Sequence, residues 1–452
     1  MDPITHTLTG AALARAGLRR ATPLAAATLV VAANAPDIDI VAYLGGEYAG
    51  LAHRRGWTHG PLGLVALPFL VAGAALAWDR WVRRRRRPDA APARAVPLLL
   101  LALVGILTHP LLDWMNTYGI RLLMPFDRRW FYGDALFIVD PWVWLILGGG
   151  VFLAAERRAP AALVGWAALA AAASLLVLVV PVPRAAKVAW CIGLAGISAL
   201  RVRGSSVGAG TAESRGGAGV TGREGEGLTG RDVHGRAGDG APSSFVRAAR
   251  LGLALATLYI ALMVAADRLA RREAGRAIEA MGAGPVAELM VAPEPANPFA
   301  GTVVAAVPGG YRLGTFHWLG RPRVRIRDEL LPRGPSGPIV DAARAAEEAR
   351  RFLVWSRFPY VEVRELEEGY DVWIGDARYV DEPRAGELAG VMVRLDRELR
   401  PRLRGPRQGT QTTPPDMSSR SSGGAPSGSI EGSSGPAVSS RAHSGGMRMG
   451  IQ

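Results

Sequence analysis

Val96-Pro-Leu-Leu-Leu-Leu-Ala-Leu-Val-Gly-Ile-Leu-Thr-His109-Pro-Leu-Leu-Asp113-Trp114 is apolar from Val96 to Leu107 and then closes on a histidine and an aspartate four positions apart. The stretch is close to the roughly 20 residues that a helix needs to cross a bilayer. Positions i and i+4 share a helix face, so His109 and Asp113 project together within one turn of its end. One segment therefore supplies both a membrane span and an imidazole-carboxylate pair of the kind that suits zinc or another first-row divalent metal.

Working outward, charge-free runs of similar length occur at Gly60 to Trp78, Leu136 to Ala155, Ala159 to Pro183, Ala185 to Leu200 and Leu251 to Ala266. Two shorter runs, Ile4 to Leu18 and Thr22 to Ala35, span only partly or pair as a membrane-embedded hairpin. Of the 452 residues 49% are hydrophobic, most of them in the first two hundred. The N-terminus does not read as a cleaved signal peptide, because Asp2 and His6 sit where a basic region belongs. The single cysteine, Cys191, falls in an expected span and says little about redox compartment.

The net charge of +14 raises nucleic acid or anionic lipid as partners, and its placement favours the membrane. The densest run, Arg83 to Arg87, lies between two spans, as cytoplasmic loops do under the positive-inside rule. Alternation then puts Arg15, Arg19, Arg20, Arg157, Arg158, Arg201, Arg203, Arg247 and Arg250 on that same side. Pro36 to His59, Asn116 to Asp134 and everything after Ala266 fall on the outer side. Membrane lipid is the expected partner and nucleic acid is not.

The chain thus reads as mainly α: a polytopic transmembrane helical bundle with a C-terminal soluble α+β domain and a disordered insertion and tail. The expected divisions are a transmembrane domain over 1–203, a cytoplasmic linker over 204–245 rich in Gly, Arg and Ser, and a last transmembrane helix over 246–267. An extracytoplasmic domain over 268–400 and a tail over 401–452 complete it. In the soluble domain, Val361 to Leu366 and Tyr370 to Ile374 alternate around Glu367-Glu368-Gly369 as a hairpin would, and Ile339 to Trp355 has helical spacing. No catalytic constellation stands out there, which favours a packing or substrate-gating role.

Four of the seven histidines, His6, His53, His59 and His109, lie in the first 109 residues. The strings around them are Thr5-His6-Thr7, His53-Arg-Arg-Gly-Trp-Thr-His59-Gly60 and Thr108-His109-Pro-Leu-Leu-Asp113, with Pro36-Asp37-Ile38-Asp39 between the first two. Gly56 argues for a loop that folds back between His53 and His59. Asp37 and Asp39 alternate around Ile38, so one carboxylate could ligate while the other bridges a second metal or holds a ligating histidine. His6 alone is more often a helix-surface residue, and His109 with Asp113 alone could be a satisfied polar pair. Seven potential ligands on one expected face, at membrane depth where ionisable groups are costly, outweigh that reading as a set. The expected metal set is His6, Asp37, Asp39, His53, His59, His109 and Asp113. Asp134 and Asp140 are expected behind it or as additional ligands, and Asp127 as a solvated loop residue.

Taken in order, Thr5-His6 with Gly10, Pro36 to Asp39, His53 to His59, His109 to Asp113 and Asp134 to Asp140-Pro141 resemble a bacterial family of membrane-bound metal-dependent hydrolases. Some of its members are described as LexA-binding inner-membrane hydrolases. Pro293 to Pro298 and Ser356 to Pro359 look like the extension of its longer members. The resemblance implies an inner-membrane protein, a distant likeness to zinc-dependent phospholipase C and P1 nuclease, and zinc ligands at His6, Asp37, His53 or His59, His109 and Asp113; that the multi-pass chain turns its site and C-terminal domain outward is the reading of the arginines. LexA is implied as a partner by the resemblance alone. Two departures stand out: Gly60 replaces an expected serine after His59, and the N-terminal aromatic residue whose amine ligates metal in the soluble phospholipases is missing.

The expectation is metal-activated hydrolysis, with Asp39 as bridging ligand or general base, His59 beside it, and a phosphoester or lipid-like small molecule as substrate. Two rival readings use the same residues. A transporter or proton/metal relay would spread polar residues to mid-span on several helices, and a membrane scaffold would hold metal with no open coordination position.

Overall fold

A computed structural model describes residues 1–156, 160–179, 182–213, 244–382 and 386–402. Arg157 and Arg158, the rest of the expected linker and nearly all of the expected tail lie outside the described residues.

Helices α1 (Pro3–Arg15) and α2 (Ala25–Asn34) are short, and they pack on each other as the hairpin reading expects. A Cβ on Gly10 would stand 2.7 Å from the Leu29 carbonyl oxygen, so glycine lets the two backbones touch. Helix α6 (Ala95–Trp114) packs on α2 as well, and a Cβ on its Gly105 would stand 3.0 Å from that same oxygen. Between them in sequence come a 3-10 stretch (Ala35–Gly45), α3 (Glu47–His53), α4 (Pro61–Trp78) and, after a π turn, the single turn α5 (Arg84–Arg86).

Next are α7 (Pro141–Leu153), α8 (Pro160–Val179), α9 (Arg184–Glu213) and α10 (Ser244–Ala280). Among the described residues six helical stretches are long and apolar enough to cross a membrane: Ala25–Gly45, Pro61–Arg86, Ala95–Trp114, Pro160–Val179, Arg184–Arg203 and Ser244–Ala280. The expected span from Leu136 is shorter than read. Asp140 caps α7 by accepting from Trp142 N and Val143 N, and Pro141 fills the first helical position, so the helix cannot start earlier. Helix α9 also runs on past Arg203 to Glu213, into the segment expected to be disordered.

The 37 residues of α10 rise about 55 Å at about 1.5 Å each, against a bilayer core of about 30 Å. The division expected between 267 and 268 therefore falls inside one unbroken helix. Its far end supplies Ala270 and Ala274 to a core with Val291, Val303 and Phe316, and Ile278 to one with Ala305 and Val307.

The C-terminal part is α+β. Strands β1 (Glu288–Glu294), β2 (Asn297–Val307), β3 (Gly310–His317) and β4 (Val324–Pro332) form one antiparallel meander, and β5 (Pro359–Leu366), β6 (Gly369–Asp376) and β7 (Gly390–Asp396) another. The expected hairpin is present: Leu366 pairs with Gly369 around Glu367-Glu368. Gly369 has φ 149°, and a Cβ there would meet the Leu395 carbonyl oxygen at 2.0 Å, which reserves the position for glycine.

The single helix expected over Ile339 to Trp355 is instead two, α11 (Pro338–Ala345) and α12 (Glu347–Trp355), broken where Ala346 turns extended at ψ 142°. Val340 and Ala349, nine residues apart, would lie on opposite faces of a straight helix at about 100° per residue. The break brings Val340, Ala343, Ala349, Phe352 and Trp355 into one core with Val372, Ile374 and Val391.

That core also takes Tyr48 of α3 and Tyr118 of the loop after α6. The β domain is therefore seated on the same end of the bundle as the 36–59 and 116–134 segments. Bonds fasten it there: Trp130 Nε1 donates to Val354 O at 2.7 Å and Arg378 to Thr117 O at 3.0 Å.

Candidate metal centre

Pro36 ends α2 and turns the chain into its 3-10 stretch, which aims Asp37 and Asp39 at different neighbours. Helix α6 presents His109 and Asp113 on one face, and the turn after α3 returns His59 to them at the start of α4. One ligand atom each from Asp37, His59, His109 and Asp113 lies within 4.8 Å of the others. Ligands about 2.0–2.2 Å from a zinc-like ion stand about 3–4 Å from each other. Here His59 Nε2 is 3.1 Å from His109 Nε2 and 3.3 Å from Asp113 Oδ2, and His109 Nε2 is 3.6 Å from Asp113 Oδ2 and 3.8 Å from Asp37 Oδ1.

Proton placement shows what the pocket lacks. His109 Nδ1 lies 2.7 Å from the Ala33 carbonyl, which can only accept, so that nitrogen carries the proton and Nε2 presents a lone pair. His59 Nδ1 lies 2.9 Å from Thr58 Oγ1, whose own proton goes to Asp39 Oδ2, and 3.3 Å from Asp39 Oδ2 itself, so its proton also sits on the far side of the ring from His109. Two lone pairs then face two carboxylates with no ring proton between them; Asp37 Oδ1 accepts from Arg54 at 2.5 Å, whereas Asp113 Oδ2 receives no hydrogen bond in good geometry. The arrangement is satisfied by a cation: a second proton on His59, or a divalent metal. Burial pulls the His59 pKa down, but the neighbouring Asp113 and Asp39 carboxylates, which favour the protonated ring, outweigh this and hold it above the ordinary histidine value. The donor set fits a metal ion of the zinc class.

Asp39 is not among the four. Its oxygens accept from Arg55 N at 2.7 Å and Thr58 Oγ1 at 3.2 Å, with Arg54 Nε at 3.4 Å, so it orients His59 from behind rather than facing the pocket. His6 stands at the edge. Its ring stacks on His109 at 3.7 Å between centroids, and its Nε2 is 3.2 Å from the other oxygen of Asp113.

His53 is not brought in. It ends α3, is exposed, and spends Nδ1 on the Ala49 carbonyl of its own helix at 2.9 Å. Neither aspartate expected behind the ligands lies there. Asp134 is buried against Arg271 and Arg357, and Asp140 caps α7 and accepts from Tyr259 Oη at 3.0 Å. Asp127 pairs with Arg129 on the surface, as a solvated loop residue does.

Two groups at the centre escape sequence reading. Arg55 is buried with Nε 2.9 Å from Asp113 Oδ2, and it also donates to Asn116 Oδ1 and the Gly119 carbonyl. The Met1 amino group is likewise buried against Asp113 Oδ1. One signal for Arg55 lies in the sequence: it stands between two candidate ligand histidines, His53 and His59.

No curated protein and no solved structure matches the chain, and nothing found supports a likeness to phospholipase C or P1 nuclease. Residues 1–184, the span that contains every member of the cluster, match the family described as YdjM inner membrane protein, which together with the apolar helices supports an inner-membrane location.

Proposed function

We propose that this is a membrane-bound, metal-dependent hydrolase acting at the outer face of a bacterial inner membrane. The observation that carries the reading is the meeting of the His59 and His109 Nε2 lone pairs, 3.1 Å apart, with the Asp37 and Asp113 carboxylates. Those four residues would hold the ion, Asp39 would keep His59 aimed, and Arg55 would neutralise Asp113. A bound divalent ion would supply Lewis-acid polarisation and a nucleophilic water near neutral pH. Zinc suits the mixed imidazole and carboxylate donors.

The substrate we favour is an amphiphile with an ester or phosphoester head. Asp37 and Asp39 alternate with Ile38, Ile40 and Val41, which are more than half exposed, and Trp57 is 54% exposed beside them. An apolar rim around a polar cluster suits a molecule that keeps its tail in lipid. Outward orientation rests on the arginines at the opposite helix ends. The test is hydrolysis by the detergent-purified protein across phosphomonoesters, phosphodiesters, carboxylic esters and phospholipids. Activity should be abolished in His109→Ala and Asp113→Ala; metal-loaded protein inert towards all four classes would defeat the reading.

A second reading, a scaffold with a structural ion, draws on one observation. Asp113 already meets Arg55, His6 and the Met1 amino group, and His59, His109 and Asp113 are fully buried. Metal with no exchangeable coordination position, in an inert protein, would favour it.

A further inference from the structure

The β3–β4 connection, Trp318 to Arg323, carries an apolar tip that the chain itself leaves uncovered. Leu319 is 85% exposed and Phe299 is 50% exposed. Trp318 N–H donates to the Phe299 carbonyl at 2.9 Å, so the two lie in one patch. A lone exposed leucine needs no explanation, but the position of this one matters. Phe316, edge-on to Trp318, packs on Ala270 of α10, and Arg323 reaches Glu273 of α10 at 2.8 Å. These contacts sit just past Ala266, where the apolar run of α10 gives way to Asp267 and Arg268. The adjacent β1–β2 turn rests on the ends of membrane helices: Ala296 packs with Trp144, Val182 and Trp190, and its carbonyl accepts from Trp142 Nε1 at 3.2 Å. The patch is thus held at the level where the helices leave the bilayer.

We propose that the β3–β4 loop is a membrane-surface anchor. Leu319 and Phe299 enter the boundary between headgroups and acyl chains, Trp318 lies at the interface, and Arg321 and Arg323 meet anionic headgroups. Aromatic residues concentrate at that depth, and arginine keeps its guanidinium in the headgroups while its stem lies on apolar surface. Arg323 also lies 5.6 Å above the Trp318 ring, which keeps that charge at the tip. The occupant is the bilayer already spanned by α10, because the same loop is fastened to that helix at its exit.

The test uses the full chain in nanodiscs, with Leu319→Cys in a Cys191→Ser background carrying an environment-sensitive fluorophore. Glu368→Cys is the control: it lies in the β5–β6 turn, at the opposite end of those strands from Arg357 and Arg378, which bond to Asp134 and to the Thr117 carbonyl. The label at 319 should emit further to the blue and be quenched by doxyl-labelled lipid, more strongly in phosphatidylglycerol than in phosphatidylcholine discs. The label at 368 should be quenched by aqueous iodide instead. Equal iodide quenching at both positions would overturn the proposal, as would protection at 319 that follows protein concentration rather than lipid, which would mean that a second copy covers the patch. Identical quenching in the two lipids would remove the arginines from it.

Discussion

Asp134 ties three parts of the chain together. Its buried carboxylate accepts from Arg271 of α10 and, at 2.9 Å, from Arg357 ahead of β5, while its own backbone belongs to the loop after α6. Asp134→Asn keeps shape and tolerates the residue's φ of 50° as well as aspartate does, so it removes the charge and one of the two oxygens that accept from the arginines. Breaking a buried ion pair costs about 3–5 kcal/mol because the partner charge is left uncompensated. Arg357 is 5% exposed, but it keeps Glu288, and Arg271 keeps Asp267. The lower end, about 3 kcal/mol, is therefore expected, which is roughly a hundredfold in the unfolding equilibrium. Urea denaturation of the detergent-solubilised protein, followed by tryptophan fluorescence, reads it. Limited proteolysis should also cut the 115–140 loop faster in the variant. A loss below about 1 kcal/mol, in the range of exposed pairs, would show that the clasp does not hold the β domain to the bundle.

Three further outcomes follow from named contacts. Asp39→Asn should weaken metal affinity about 10–100-fold through the loss of orientation at His59, measured by competition with a chromophoric chelator; an unchanged affinity would detach Asp39 from the site. Gly105→Val places a side chain 2.7 Å from Ala32 Cβ, so α2 and α6 must part. A stability loss of about 1–3 kcal/mol should come with weaker metal binding, because α6 carries His109 and Asp37 follows directly on the end of α2. In the β domain, burial pushes the Asp376 carboxyl up, but Arg378 at 2.9 Å outweighs it and holds it below the ordinary value. That stability is complete above the unfolded-state value near about 4 and is lost as pH falls through the lower folded value. Denaturation midpoints from pH 5 to 2 should fall more steeply than in Asp376→Asn.

The spans and the core of the cluster were legible because both are local. Apolar runs between arginine clusters mark helices, and four-residue spacing at the end of one fixes His109 beside Asp113. Asp37 was legible through Pro36, which forces the chain to turn at the helix end. His53 looked equivalent to His59 because composition cannot tell which histidine of a loop points inward, and the terminal turn of α3 gives His53 a carbonyl of its own. Asp140 was misread because a helix cap and a metal ligand call for the same residue, and Asp-Pro is the better sign of a cap. The break at Ala346 hides in a sequence of good helix formers. It shows only in the phase of the apolar positions, with Val340 and Ala349 half a turn out of step.

Metal content tests the centre most directly. The protein purified in detergent without chelator, then analysed by inductively coupled plasma mass spectrometry, should carry a near-stoichiometric divalent ion, chiefly zinc. His109→Ala and Asp113→Ala should lose it, and His53→Ala should retain it in full. Equal metal in all four proteins, or loss in His53→Ala alone, would contradict an ion held by Asp37, His59, His109 and Asp113.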